Sequence, residues 1–191
     1  MEVKKRVANR HTFLYKGDLY PNYIKAGNAA SYVVPFAREF CKGHGLDIGG
    51  FFDWIFPGAI PINITIDDQW DAYNLPDEKY DYIFSSHTLE HLPDYVEALA
   101  YWKEHLNSDG VLFLYLPHPD MEYWRPQNNR KHLHMFHPTD IRDLLVDLGF
   151  DEVLYSQRDL YWSFSVVGVI KEHYNENRIE VKEIVTNSSR T

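Results

Sequence analysis

The chain has 191 residues, a length that suits one domain around a single core. Hydrophobic residues at 45% and aromatic residues at 16% exclude a disordered chain. A formal charge of −9 argues against a phosphate backbone as the main partner and suits a cationic ligand.

Residues 1–24 read as an irregular lead-in, polar and aromatic, with Pro21. The opening MEVKKRVANR is not followed by an apolar core, so no signal peptide is expected. Residues 25–43 carry an apolar stripe at helical spacing through Ala29, Ala30, Val33, Val34, Phe36, Ala37 and Phe40. Pro35 within it predicts a kink or a late start. Cys41, the single cysteine, reads as buried packing, and a lone thiol points to a reducing, cytoplasmic setting.

A short strand is predicted at 44–48, broken by Gly49 and Gly50, with a hydrophobic loop running to Pro57-Gly58. Residues 61–66 alternate and are β-branched, which predicts a second strand ending on Asp67-Asp68. A third strand is predicted at 80–85. Asp94 with Glu97 three residues on reads as a capping box for a helix whose inner face is Tyr95, Leu99, Trp102 and Leu106, stopped by Asp109-Gly110. Residues 111–116 are apolar on both faces, the pattern of a central parallel strand, and are too short to span a bilayer. Residues 118–137 lack periodicity. Thr139 is expected to cap a helix with Ile141, Leu144, Leu145 and Leu148 inward, ended by Gly149. Two closing strands near 152–157 and 161–170 are separated by so few residues that they must pair antiparallel. From 172 the chain is polar and expected to fray.

Alternating strands and helices imply an α/β fold with an open, mostly parallel, Rossmann-like sheet and a terminal antiparallel hairpin. The domain would occupy 25–171, between the 1–24 lead-in and a 172–191 tail. Asp67 and Tyr80 are joined by only a short connection.

Two constellations carry chemistry. In Gly45-Leu46-Asp47-Ile48-Gly49-Gly50 the glycines at a strand end let a ligand approach the backbone. Asp67 follows Asp47 by 20 residues at the next strand end, where a carboxylate can accept both hydroxyls of a ribose. A tight turn and a surface Asp pair are the plain alternative.

These residues resemble the class I S-adenosylmethionine-dependent methyltransferases, whose first motif is of the type Asp-x-Gly-x-Gly. Phe51 and Asp53 stand where further glycines are usual, and Pro57-Gly58 fits a subgroup with a shortened loop. The run Tyr80-Asp81-Tyr82-Ile83-Phe84-Ser85-Ser86-His87-Thr88-Leu89-Glu90-His91-Leu92 is similar to the family's fourth-strand motif. Asp109-Gly110 before 111–116 is similar to its fifth strand, and His134, Phe136, Pro138 and Thr139 to the start of its late helix. The resemblance covers residues 28–170, and set against the family core the short Asp67–Tyr80 segment implies a reduced third-strand region. It implies S-adenosylmethionine as donor, held by Asp47, Gly49, Gly50, Asp67, Asp68, Ser86 and His87, with Asn74 and Leu75 in an adenine-side loop at 71–75.

His87, Glu90 and His91 stand at i, i+3 and i+4 and face one way if a helical turn begins there. Ubiquinone-type O-methyltransferases carry metal-binding side chains at the matching positions. A divalent cation is therefore conceivable, but a purely structural role for Glu90 and His91 is the favoured reading. His132, His134 and His137 lack the cysteines and tight spacing of a zinc site.

Tyr123, Trp124, Arg125, Asn128 and Asn129, with His118, His132 and His134, read as an acceptor-binding lid. Rings stack on sugar faces and planar amides bond hydroxyls. An alcohol needs a base to take its proton, and His87 first, then His118, are the candidates. Relatives with this loop and histidine motif accompany glycosyltransferases that build surface glycans. The resemblance thus implies an oxygen acceptor, a sugar hydroxyl before a small phenolic metabolite, and a chain that could be one domain of a larger glycan-building polypeptide. No nucleic acid and no membrane span are expected. The rivals are a non-catalytic module with a decayed donor site, motivated by Phe51 and Asp53, and a nicotinamide-binding dehydrogenase, disfavoured by the missing third glycine and the terminal hairpin.

Overall fold

The computed structural model describes residues 11–26, 29–171 and 179–184. Its centre is a seven-stranded sheet built from β3 (Gly45–Ile48), β4 (Ile60–Ile62), β5 (Tyr80–Ser86), β6 (Leu106–Pro117), β7 (Glu152–Ser156), β8 (Ser163–Val169) and β9 (Glu180–Ile184). The order is β4-β3-β5-β6-β8-β7-β9. The first four run parallel, β8 is antiparallel to both β6 and β7, and β9 is parallel to β7.

Alternation along β6 shows how the sheet is covered on both faces. Leu112, Leu114 and Leu116 join a cluster with Leu99 and Trp102 of α3 (Tyr95–Glu104) and Ile141 and Leu145 of α4 (Pro138–Asp147). Phe113 and Tyr115 point the other way, to Ala30, Val33 and Ala37 of α2 (Ala30–Ala37). The fold is thus the expected mostly parallel α/β sheet with an antiparallel end. Between β4 and β5 the chain makes only turns and an isolated bridge, Asp71 to Asn74, so the connection is indeed reduced.

Several elements differ from expectation. Residues 1–24 include a hairpin, β1 (Thr12–Tyr15) and β2 (Asp18–Pro21), followed by the single turn of α1 (Tyr23–Ala26). Its tight turn places Lys16 and Gly17 at φ 46° and 93°, the left-handed geometry that short hairpins need. The second strand stops at Ile62 rather than running to Ile66, because Asn63 folds into a turn. Helix α2 takes the late start and keeps Pro35 inside it. Asp94 occupies the N-cap of α3 without a side-chain capping bond. The N-cap of α4 is His137 rather than Thr139, with the His137 N–H donating to Asp140 Oδ2 at 3.0 Å. The polar tail supplies β9, while residues 172–178 and 185–191 lie outside those described. No helix among the described residues is long and apolar enough to cross a membrane.

Candidate active site

Strand β3 ends in Gly49, at φ 93°, whose N–H donates to the Ile62 carbonyl at 2.8 Å. A Cβ at Gly49 would fall 1.9 Å from Thr88 Oγ1, and one at Gly50 would fall 2.7 Å from the Asp47 carboxylate. Glycine is therefore required for the turn to pass between these side chains. Asp47 is 2% exposed and accepts the Phe56 N–H at 2.6 Å. Burial pushes its carboxyl up to about 7, against the opposing pull of that hydrogen bond.

Three cavities open at the carboxyl ends of the parallel strands, where open α/β sheets bind ligands. One, of about 360 Å³, is lined by Asp47, Gly49, Gly50, Phe51, Asn63 and Ser86 among others. A second, of about 250 Å³, shares Gly49 and Asn63 with it and is mostly apolar, with Ile62, Ile64, Ala72 and Tyr73. The third, of about 520 Å³, carries Tyr123, Trp124, Asn128, Asn129 and His132. The first and third share Ala29, Trp54, His87, His91 and Lys131, so they adjoin across one wall.

His87 stands in that wall. Its backbone turns left-handed just after β5, at φ 50°, and its N–H donates to the Tyr115 carbonyl at 2.8 Å. The ring edge meets Trp124 at 4.6 Å between centroids, and Nε2 lies 2.9 Å from Ser163 Oγ at the start of β8. The antiparallel end of the sheet thus helps aim this side chain. Burial, with His132 and His91 nearby, pushes its imidazole down to about 3, so it is neutral at pH 7.

The structure brings Asp47, Gly49, Gly50, Ser86 and His87 to one cavity, and Tyr123, Trp124, Asn129 and His132 to the other. Other predicted site residues stand elsewhere. Asp67 and Asp68 are exposed and line none of the three cavities, because the strand that should have carried them ends at Ile62. Asp67 instead accepts the Gln69 N–H at 2.9 Å. Asn74 is exposed and donates to the Gln69 carbonyl, and Leu75 is buried in the core. Asp71, Ala72 and Tyr73 of the same loop do reach the apolar cavity.

His118 does not join His87. It lies beyond Trp124 in a pocket of about 10 Å³ with Arg125 and His134, and its Nδ1 accepts the Asp120 N–H at 3.2 Å. Arg125 donates from Nε to the Pro119 carbonyl at 2.8 Å, and His134 Nε2 bonds the Leu92 carbonyl at 2.9 Å. These three hold the 118–134 segment in shape and line none of the larger cavities.

Among the lining residues that the sequence reading did not place at a donor or acceptor site are Asn63, Trp54 and Lys131. Asn63 Nδ2 donates to the Gly49 carbonyl at 3.3 Å, and its Oδ1 accepts from the N–H and hydroxyl of Thr65 at 3.0 and 2.7 Å. It occupies the strand-end place that the sequence pattern predicts for Asp67.

Residues 26–155 match the profile of a family described as Methyltransferase domain. The chain belongs to that family. Among solved structures it resembles an S-adenosylmethionine-dependent methyltransferase from Thermotoga maritima, at 17% identity over 78% of this chain and 93% of that one, with a TM-score of 0.59. It resembles another from Archaeoglobus fulgidus at 15% identity over 78% and 99%, with a TM-score of 0.55. A third likeness, at 14% identity and a TM-score of 0.53, is to an O-methyltransferase candidate from Nostoc punctiforme; it covers 74% of this chain but only 56% of that longer protein. At these identities the likeness speaks for the fold. A comparison with curated proteins gave no match.

Proposed function

We propose that this chain transfers the methyl group of S-adenosylmethionine to an oxygen of a small-molecule or glycan acceptor, a sugar hydroxyl before a phenol. The observation that carries the reading is the shared wall. A glycine-cradled cavity meets a second cavity rich in rings and amides, and His87 stands between them.

The residues present fit the donor. The hydroxyl of Ser86 is buried without a hydrogen-bond partner on the lining of the first cavity, so a polar group is wanted there. The neighbouring apolar cavity beside Ile62 and Ala72 suits an adenine ring, and Asn63, common to both cavities, suits the ribose between. Asp47, Gly49 and Gly50 would take the methionine end. The donor supplies a methyl already activated on a cationic sulfur, so the protein's main task is alignment. The acceptor oxygen forms the new C–O bond as the C–S bond breaks with its electron pair left on sulfur, and the hydroxyl proton passes to solvent by way of the neutral His87 imidazole in the shared wall.

Tyr123, Trp124, Asn128 and Asn129 line the second cavity, a mix of rings and amides that suits a hydroxyl-rich acceptor. One observation favours the phenolic alternative: an imidazole held down at about 3 is a weak base, and a phenol needs less help than an alcohol. Calorimetry with S-adenosylhomocysteine tests the donor, with saturable heat expected; no heat would point to a decayed site. Paired screens of sugar and phenol acceptors with labelled S-adenosylmethionine then test the acceptor, label in sugars being expected.

A further inference from the structure

Glu90 is 0% exposed, and neither of its carboxylate oxygens has a hydrogen-bond partner among the described residues. A buried carboxyl group with no partner is costly, so such a group calls for a ligand. What faces it is a set of imidazoles. Glu90 Oε1 lies 3.9 Å from His91 Nε2 and 3.9 Å from His132 Nε2. We propose that Glu90, His91 and His132 bind a divalent first-row transition-metal ion, with an open coordination position toward the acceptor cavity.

The geometry supports this in three ways. The three ligand atoms lie within 4.8 Å of one another. Bonds of roughly 2.0–2.1 Å in a tetrahedral site put ligand atoms about 3.4 Å apart, so each Glu90–imidazole gap of 3.9 Å need close by only about half an ångström. His91 Nδ1 lies 2.6 Å from the Lys131 carbonyl, which can only accept; Nδ1 therefore carries the proton and Nε2 turns its lone pair to Glu90. Finally, the lid is pinned here by backbone bonds, the N–H groups of Leu133 and His134 donating to the Glu90 carbonyl at 2.8 and 3.2 Å. Those bonds bring His132, distant in sequence, onto the turn that carries Glu90.

The ligand set departs from the spacing-based set of His87, Glu90 and His91. His87 Nδ1 is 3.8 Å from Glu90 Oε1, but its ring is turned with Nε2 at Ser163, and His87 is not part of the converging triad. Two imidazoles and one carboxylate favour a transition ion over magnesium or calcium, which prefer all-oxygen shells. His91 and His132 also line the acceptor cavity, so the open position would meet an acceptor hydroxyl and ease loss of its proton. This inference rests on the methyl-transfer reading for its role, though not for the site itself.

The test is titration of the chelator-stripped full chain with Co²⁺, followed by visible d–d absorption and by proton NMR. Saturation at one equivalent, with paramagnetically shifted signals from two imidazoles, is expected. Glu90→Gln and His132→Ala should each weaken Co²⁺ by more than about 100-fold, since even outer partners of metal ligands are worth 10–100-fold. Both should still bind S-adenosylhomocysteine, because neither residue lines the donor cavity. Absence of saturable Co²⁺ binding, absence of shifted imidazole signals, or wild-type Co²⁺ affinity in the variants would overturn the site. Donor binding without Co²⁺ binding would sink the metal and leave the methyltransferase reading standing. Co²⁺ binding without donor binding would do the reverse.

Discussion

A single amide at position 63 carries much of the donor assignment. Asn63 lines both donor-side cavities, and its Nδ2 is spent only on a long bond to Gly49. Asn63→Ala should weaken S-adenosylhomocysteine about tenfold, the size of one or two neutral hydrogen bonds. Asp67→Ala should leave affinity unchanged, because Asp67 is exposed and turned to Gln69. Calorimetry on the two variants decides between them, and the opposite ranking would restore Asp67 as the ribose partner. Asp47 makes a second test. Its folded-state carboxyl titrates at about 7, above the ordinary 3.8, so the unfolded chain releases this proton first as pH rises. The contribution of Asp47 to stability is full below about pH 3.8 and is lost as pH rises through about 7. Wild type should therefore lose denaturation midpoint relative to Asp47→Asn between about pH 4.5 and about pH 8, and saturating S-adenosylmethionine should flatten that slope because a nearby cation favours the ionised form. A midpoint difference independent of pH would refute the assignment.

At the level of elements, two glycines with the same backbone geometry separate strain from function. Gly17 and Gly49 both stand at φ 93°. A Cβ at Gly17 meets nothing within 4 Å, whereas one at Gly49 strikes Thr88. Gly17→Ala should cost about 1–2 kcal/mol from left-handed strain alone and leave donor binding intact. Gly49→Ala should cost more and abolish donor binding. Urea midpoints and calorimetry on the pair check this, and wild-type donor affinity in Gly49→Ala would mean that the turn is no cradle. The elements also show what the sequence could disclose. The core strands were legible because apolar residues on both faces, as in β6, have no other home. The sharp stop of β4 was not, because Ile64, Thr65 and Ile66 continue the β-branched alternation while the Asn63 side chain turns the backbone. The reach of Asp67 failed with it. Strand β9 was hidden because its sequence, EVKEI, is charged, and it survives as an edge through Lys182 and Glu152 pairing across to β7. The hairpin β1–β2 was hidden because its rings pack on the lid rather than on the sheet. The convergence of His132 on Glu90 was invisible since nothing in their spacing signals the backbone bonds that tie Leu133 and His134 to the Glu90 carbonyl.

Across the whole molecule, the cavity proposed for the acceptor is walled by a body of aromatics separate from the main core. Phe13, Tyr20, Ile24, Met121 and Trp124 form their own cluster, with Tyr15, Tyr123 and Trp162 packed against it. Tyr20 is 1% exposed and meets Trp162 at 4.9 Å, while Phe13 meets the edge of Tyr123 at 5.3 Å and 72°. The hairpin therefore clamps the very segment, 121–124, whose Tyr123 and Trp124 line this cavity. Because this cluster shares no residue with the sheet core, loosening it should open the lid locally rather than unfold the domain. Phe13→Ala removes a ring 8% exposed, and large-to-small changes of this kind cost about 3–5 kcal/mol where the site cannot collapse. If the clamp is local, hydrogen exchange should quicken across 12–21 and 121–124, while amides in β3 and β5 keep their protection and S-adenosylhomocysteine binds as before. Acceptor turnover, once an acceptor is in hand, should then fall through a higher KM rather than through lost donor affinity. A uniform rise in exchange across β3, β5 and the hairpin alike would show instead that the aromatic body and the sheet unfold as one unit, and that the lid has no independent freedom to admit an acceptor.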